Sequence, residues 1–195
     1  MSLKDKTKWD KKYQNKPQLL EFRDASAKLI DALKNIPKGD ALDLACGTGR
    51  NALYLAQNGF EVDALDIAQV ALNTLTQDAQ RLDVANLIHA KLTDLDNYTI
   101  KKQYDLIVMC NFLDRALLQK TKNSLNSGGF YFVETYMLDA SNEKENSDKN
   151  NLLEKKELQK IFDDFEIVYY DEFDNEKHEI YSMKKQVILA KKLLP

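Results

Sequence analysis

Two glycines and two carboxylates carry the chemistry legible in this chain. The run Asp43-Leu44-Ala45-Cys46-Gly47-Thr48-Gly49 joins a stretch that reads as a strand to one that reads as a helix. The chain must turn sharply there, and glycine lets a backbone approach a ligand more closely than a Cβ permits. The N–H groups that follow open a helix, and a helix N-terminus favours a carboxylate or another anion. Seventeen residues beyond Gly49 lies Asp66, at the end of the next apolar stretch. A carboxylate at that place in an α/β unit accepts the two hydroxyls of a ribose. Asp63 is its rival, but it falls in mid-strand and faces the other way. A plainer reading makes Gly47 and Gly49 a tight turn and Asp66 a helix cap.

Gly47-Thr48-Gly49-Arg50-Asn51-Ala52 also satisfies the G-x-G-x-x-A dinucleotide fingerprint, so a nicotinamide oxidoreductase stays open as an alternative. Against it, about 40 residues precede the first strand, whereas dinucleotide domains commonly open with theirs.

The elements around this turn alternate. A short helix is expected over residues 25–33, closed by Pro37-Lys38-Gly39. Strands follow at 41–45, 60–65, 87–91, 104–110 and 130–136, separated by helices at 51–57, 69–82 and 115–125. Ser127-Gly128-Gly129 is expected to end the last of these helices. A helix at 154–162 precedes two final strands, 165–170 and 185–190, with an acidic segment 171–179 between them. Such alternation predicts an α/β fold, a Rossmann-like doubly wound sheet of about seven strands, mostly parallel, with an antiparallel C-terminal hairpin. Its ligand crevice lies at the carboxyl ends of the strands.

On these residues a family resemblance appears. The run from Ala41 through Gly47-Thr48-Gly49-Arg50-Asn51-Ala52 to Ala56, with Leu65-Asp66-Ile67 after it, resembles the S-adenosylmethionine (SAM) motif of class I methyltransferases. The Gly-Arg-Asn-Ala continuation is closest to the tellurite-resistance and thiopurine methyltransferase-like subgroup. Trp9-Asp10 with Tyr13, and the Gly-Gly turn before the fifth strand, belong to the same likeness. The resemblance implies a SAM-dependent methyltransferase with a small-molecule acceptor. Asp43 is then near the methionine amine, Gly47 and Gly49 line the methionine, Asp66 holds the ribose and Ile67 lies against the adenine. Asp94 matches the acid that receives the adenine amino group, or else is a loop aspartate in water. Ala45, Cys46, Thr48, Asn51, Thr93, Leu95 and Cys110 complete the implied cofactor contacts. The whole chain is expected as one domain, residues 1–36 a helical lid region and 37–195 the Rossmann-like core. A non-catalytic SAM-binding sensor fits the same motif.

Methyl transfer from a sulfonium is an in-line displacement, so a protein supplies position and a dry site, and a base only for a protonated nucleophile. The segment after the fourth strand faces the methyl group in this fold. There Asn111 can hold a nucleophile and Arg115 attract an anionic substrate; Asn111 and Asp114 can equally cap the following helix. Glu134 and Tyr136, at the end of the fifth strand, can contact substrate. Trp9, Tyr13, Phe22 and Arg23 can cover the cofactor or simply pack. The polar stretch 141–151 is a solvated loop or a substrate flap.

Composition narrows the partners. With 28 basic against 31 acidic residues and no basic stripe, a nucleic-acid backbone is not the expected partner. No apolar run approaches a membrane span, and the first residues have no signal-peptide core. Cys46 and Cys110 read as reduced, buried thiols, which suits a cytoplasmic protein. His89 and His178 are the only histidines, too few and too scattered for a metal site. The oligomeric state is not written in these features.

Overall fold

The computed structural model describes residues 3–34, 36–144, 148–175 and 181–194. In chain order it has α1 (Leu3–Asn15), α2 (Ala27–Leu33), β1 (Asp40–Leu44), α3 (Arg50–Gln57), β2 (Glu61–Asp66), α4 (Gln69–Arg81) and β3 (Ile88–Leu92). Then come β4 (Tyr104–Cys110), α5 (Arg115–Lys122), β5 (Leu125–Tyr136), α6 (Glu157–Ile161), β6 (Glu166–Asp174) and β7 (Lys184–Lys191). The strands make one sheet in the order β3-β2-β1-β4-β5-β7-β6. The first five run parallel, and β7 is antiparallel to both β5 and β6. Chain order reverses between β1 and β4, where a doubly wound sheet opens its crevice.

Alternation along the strands builds two cores. Ala41, Val62, Ala64, Leu106, Val108, Phe130 and Phe132 face one way, against Leu29 of α2, Leu55 of α3 and Leu75 of α4. Leu42, Leu44, Leu65, Ile107, Met109, Tyr131 and Val133 face the other, against Leu117, Leu118 and Leu158 of α5 and α6 and against Phe162. The near-continuous apolar run of β4 is thus explained by helices on both faces.

Three expected boundaries shift. Helix α5 ends at Lys122, and Gly128-Gly129 lies inside β5, where the pairing with β4 changes register between Tyr104 and Leu106. The helix expected at 154–162 shortens to Glu157–Ile161, because Lys156 adopts a left-handed conformation (φ 58°). The acidic segment 171–179 is strand as far as Asp174, since β7 and nearby cations receive its carboxylates. Asp174 meets Lys184 at 2.9 Å and Asp171 meets Lys28 at 2.8 Å. Within the polar stretch 141–151, Asn142 accepts from the Lys184 N–H at 2.7 Å, and Lys149–Asn151 forms a 3-10 turn. Residues 145–147 of that stretch, and His178, lie outside the described residues. Among the described residues no helix is long and apolar enough to cross a membrane.

Helix ends differ in how they are capped. The Ser26 hydroxyl accepts from Leu29 N–H at 3.3 Å to start α2, and Asp114 accepts from Leu117 N–H at 2.9 Å to start α5. Helix α4 starts after Ala68, which has no side-chain acceptor. Asp63, fixed in mid β2 and only 3% exposed, accepts from Lys91 Nζ (2.6 Å) and Tyr104 Oη (2.7 Å). Lys102 Nζ stands 3.3 Å away. Burial alone would raise this carboxyl, yet the bonds from Lys91 and Tyr104, with the charge of Lys102, hold it below the usual range.

Gly49 shows how tightly α3 and α4 pack. Its φ is +79°, and a Cβ there would lie 2.2 Å from Leu75 Cδ1, on a side chain with no exposed surface. Gly49→Ala therefore meets left-handed strain and overpacking together, for a loss of about 2–4 kcal/mol. A thermal melt should fall by roughly 5–15 °C; an unchanged melting temperature would contradict this packing.

Candidate cofactor site

The carboxyl ends of β1, β2, β4 and β5 converge on one crevice. After Leu44 the chain turns through Ala45 (φ 57°), Gly47 (φ 57°) and Gly49 (φ 79°). Cys46 N–H donates to Leu65 O at 3.0 Å, and Gly49 N–H to Cys46 O at 2.9 Å, which fixes the bend against β2. Gly47 N–H then donates to Asp66 Oδ2 at 2.8 Å. The other oxygen of Asp66 accepts from Ala68 N–H, also at 2.8 Å. A carboxylate offers about four lone-pair sites, so Asp66 keeps acceptor capacity for a further donor. Burial raises the Asp66 carboxyl, and the N–H groups of Ala68, Gly47 and Ile67 pull it back.

Asp43 lies one residue before the end of β1 and is 2% exposed. Its Oδ2 is enclosed and has no hydrogen-bond partner among the described residues. Burial first, and the charge of Asp66 second, push its carboxyl up to about 7, while Ala52 N–H and Arg50 act in the opposite direction. An enclosed oxygen with no donor is costly, and a cationic donor from a ligand would satisfy it. Cys46 and Cys110 flank it, with thiols pushed up by burial and by the carboxylates nearby. They stay protonated, and neither is a nucleophile here.

The other expected positions divide. Thr93 N–H donates to Asp66 O at 2.8 Å, bringing the residues after β3 to the same crevice. Leu95 and Ile67 are buried, each 2% exposed, and Thr48 is 8% exposed. Asp94 holds its own turn, accepting from Asp96 N–H (3.1 Å) and Asn97 Nδ2 (3.0 Å). The Asn51 Oδ1 accepts from Ser26 N–H at 3.1 Å and ties α3 to α2. Asn111 leaves β4 in a left-handed conformation (φ 54°), its N–H on Glu134 O at 2.8 Å, while Asp114 does the capping.

Arg115 is committed elsewhere. Its guanidinium forks onto Glu157 at 2.5 and 3.0 Å and donates to the carbonyls of Asn150 and Leu152. It clamps the connection before α6 rather than standing free for an anion. Tyr136 has Lys185 Nζ 4.8 Å from its ring centre.

One network escaped sequence reasoning. Glu134 is enclosed with Lys185 (3.2 Å) and accepts from the Ser26 hydroxyl. A charge inside each of two apolar strands, Glu134 in β5 and Lys185 in β7, was the available signal. Tyr13, on α1, brings its hydroxyl over the bend, 3.1 Å from where a Cβ on Gly47 would stand. Phe22 instead lies beneath the Arg81 guanidinium, 4.9 Å away at the far end of α4.

Comparison with known proteins agrees with this geometry. A curated relative in Haemophilus influenzae, named as a probable S-adenosyl-L-methionine-dependent methyltransferase TehB, is 30% identical over 114 residues, covering 54% of this chain and 38% of that protein. A putative methyltransferase, YqeM of Bacillus subtilis, is 32% identical over 88 residues, 45% of this chain and 34% of its own length. The crystal structure of TehB from Haemophilus influenzae superposes with a TM-score of 0.77 at 26% identity, over 86% of this chain and 62% of that one. The chain thus spans less than two thirds of each of these three proteins. The family model described as tellurite resistance protein TehB matches residues 1–189. Motif, sheet order and the extent of that match all say that the chain belongs to the TehB family.

Proposed function

We propose that this chain transfers a methyl group from SAM to a small-molecule acceptor in the cytoplasm, as a single domain with residues 1–36 as its lid region. The observation that carries the reading is the pair of enclosed acids on either side of the glycine bend. Asp43 keeps an oxygen without a donor among the described residues, and Asp66 keeps acceptor capacity beyond its backbone donors. A molecule with an ammonium at one end and a vicinal diol further along matches both needs, and SAM is such a molecule.

When bound, SAM supplies a methyl group already activated by its sulfonium. The chain's own part is binding and alignment. Asp43 receives the amine, Gly47 leaves room for the amino-acid portion, and Asp66 accepts the ribose hydroxyls. Ile67, Thr93, Asp94 and Leu95 border the adenine end. Asn111 and Tyr136 stand where an acceptor approaches, and holding that acceptor in line with the breaking bond is worth several kcal/mol of the barrier. Enclosure of the crevice excludes water as charge is lost.

Asp66→Ala should cost SAM affinity at least about a hundredfold in calorimetry, through two charge-assisted hydrogen bonds of about 1.5–3 kcal/mol each. Unaltered binding would sink the assignment. Turnover of SAM to S-adenosylhomocysteine in the presence of a metabolite pool tests the catalysis itself.

Asp43 adds a pH signature. Its ligand-free carboxyl titrates near pH 7, because burial raises it, and only the ionised form attracts an ammonium. Affinity should therefore be steady just above pH 7 and weaken up to about tenfold per pH unit below it. Asp43→Asn should abolish that slope; a wild-type affinity flat from pH 5.5 to 7 would count against the role.

A further inference from the structure

Helix α1 is held to the rest of the molecule in an unusual way. None of its described side chains is buried. A helix with so little enclosed apolar surface cannot be docked by the hydrophobic effect alone. What holds it are polar and aromatic contacts on one face. Asp10 Oδ1 accepts from Val70 N–H at 3.2 Å, and Gln69 N–H also points to that carboxylate. Lys6 steadies the other oxygen at 2.9 Å, one helical turn back. Tyr13, three residues on and on the same face, reaches the bend at Gly47. Trp9 packs against Tyr13 with ring centres 6.1 Å apart, and Lys12 Nζ lies 3.9 Å from the centre of the Trp9 ring.

Helix α4 needs that carboxylate. Its first residues follow directly on Asp66-Ile67-Ala68, and Ala68 has no side chain that can take up the exposed N–H groups. Asp10 therefore caps α4 from another helix. The same rigid turn of α1 that delivers the cap sets Tyr13 over Gly47. With α1 docked, the bend is covered; with α1 lifted, it is open.

We infer that Asp10 is a positioning residue of the cofactor site: its cap on α4 latches α1 shut over the glycine bend, and release of the latch governs passage of the cofactor. This rests on the SAM reading for the passage step, and on ligand-free geometry alone for the latch. Losing one cap of ordinary strength shifts a closed–open equilibrium about fivefold. Asparagine caps helices as well as aspartate does, so it should restore the latch without the charge. The charge matters as a control, since Asp10 also raises the Asp66 carboxyl.

The test compares wild type, Asp10→Ala and Asp10→Asn. Without ligand, amide exchange along α1 should run about fivefold faster in Asp10→Ala, with a red-shifted emission from Trp9, the protein's sole tryptophan. In Asp10→Asn both should match wild type. Stopped-flow mixing with SAM, read by Trp9, should show association and dissociation each accelerated several-fold in Asp10→Ala only. Equal exchange and emission in all three proteins would overturn the latch. So would equal disturbance in both variants, which would trace the effect to charge rather than capping. If SAM fails to bind any of the three while exchange behaves as expected, the latch stands and the cofactor assignment falls.

Discussion

A single hydrogen bond, from Gly47 N–H to Asp66, joins the two halves of the site. It can form only because β1 and β2 lie side by side in parallel, with Leu44 level with Leu65. That register brings the bend after one strand to the acid ending the other. Thr93, bonded to the carbonyl of Asp66, extends the convergence to a third strand. Glycine suits position 47 because φ there is +57° and a Cβ would stand 3.1 Å from the Tyr13 hydroxyl. The sheet thus serves, for functional purposes, to bring the ends of β1, β2 and β3 into contact.

The residues of the site are energetically uneasy by themselves. Two carboxyls are enclosed near each other, and both are raised from their ordinary range. Ala45 and Asn111 hold left-handed backbones at the ends of neighbouring strands, where asparagine is tolerated and alanine is strained. Strain and buried charge gather at the same rim, as they do where a fold keeps geometry ready for a ligand. Elsewhere charges are neutralised in place. Glu134 with Lys185 is enclosed but fully partnered, and it anchors Ser26 at the start of α2.

Much of this was legible in the residues. The alternation of apolar runs gave the parallel core because strands buried on both faces need no polar side. The glycine bend and Asp66 stood out because few residue types suit those backbone and acceptor roles. What stayed hidden depends on long-range partners. Arg115 looked like an anion trap until α6 and the connection before it, some forty residues later, supplied Glu157 and two carbonyls. The Asn51 side chain, read as a cofactor contact, also takes the Ser26 N–H, twenty-five residues earlier. Gly128-Gly129 read as a break, yet β5 runs through it by shifting its pairing with β4. Strand β6 outlasted its apolar stretch because lysines from α2 and β7 met its acids. Propensity is local, and these outcomes were settled by residues distant in sequence.

The carboxylate of Asp63 has a consequence for alignment. It is ionised, enclosed, and met by donors from β3 and from the start of β4. Sliding β2 by one residue would turn that charge to the opposite, apolar face with nothing to neutralise it, at a cost of several kcal/mol. Beyond the packing that sets the register of any buried strand, this one is keyed by a charge. Three positions downstream, the key decides which residue emerges at the tip of β2, and so guarantees that it is Asp66 that greets the bend.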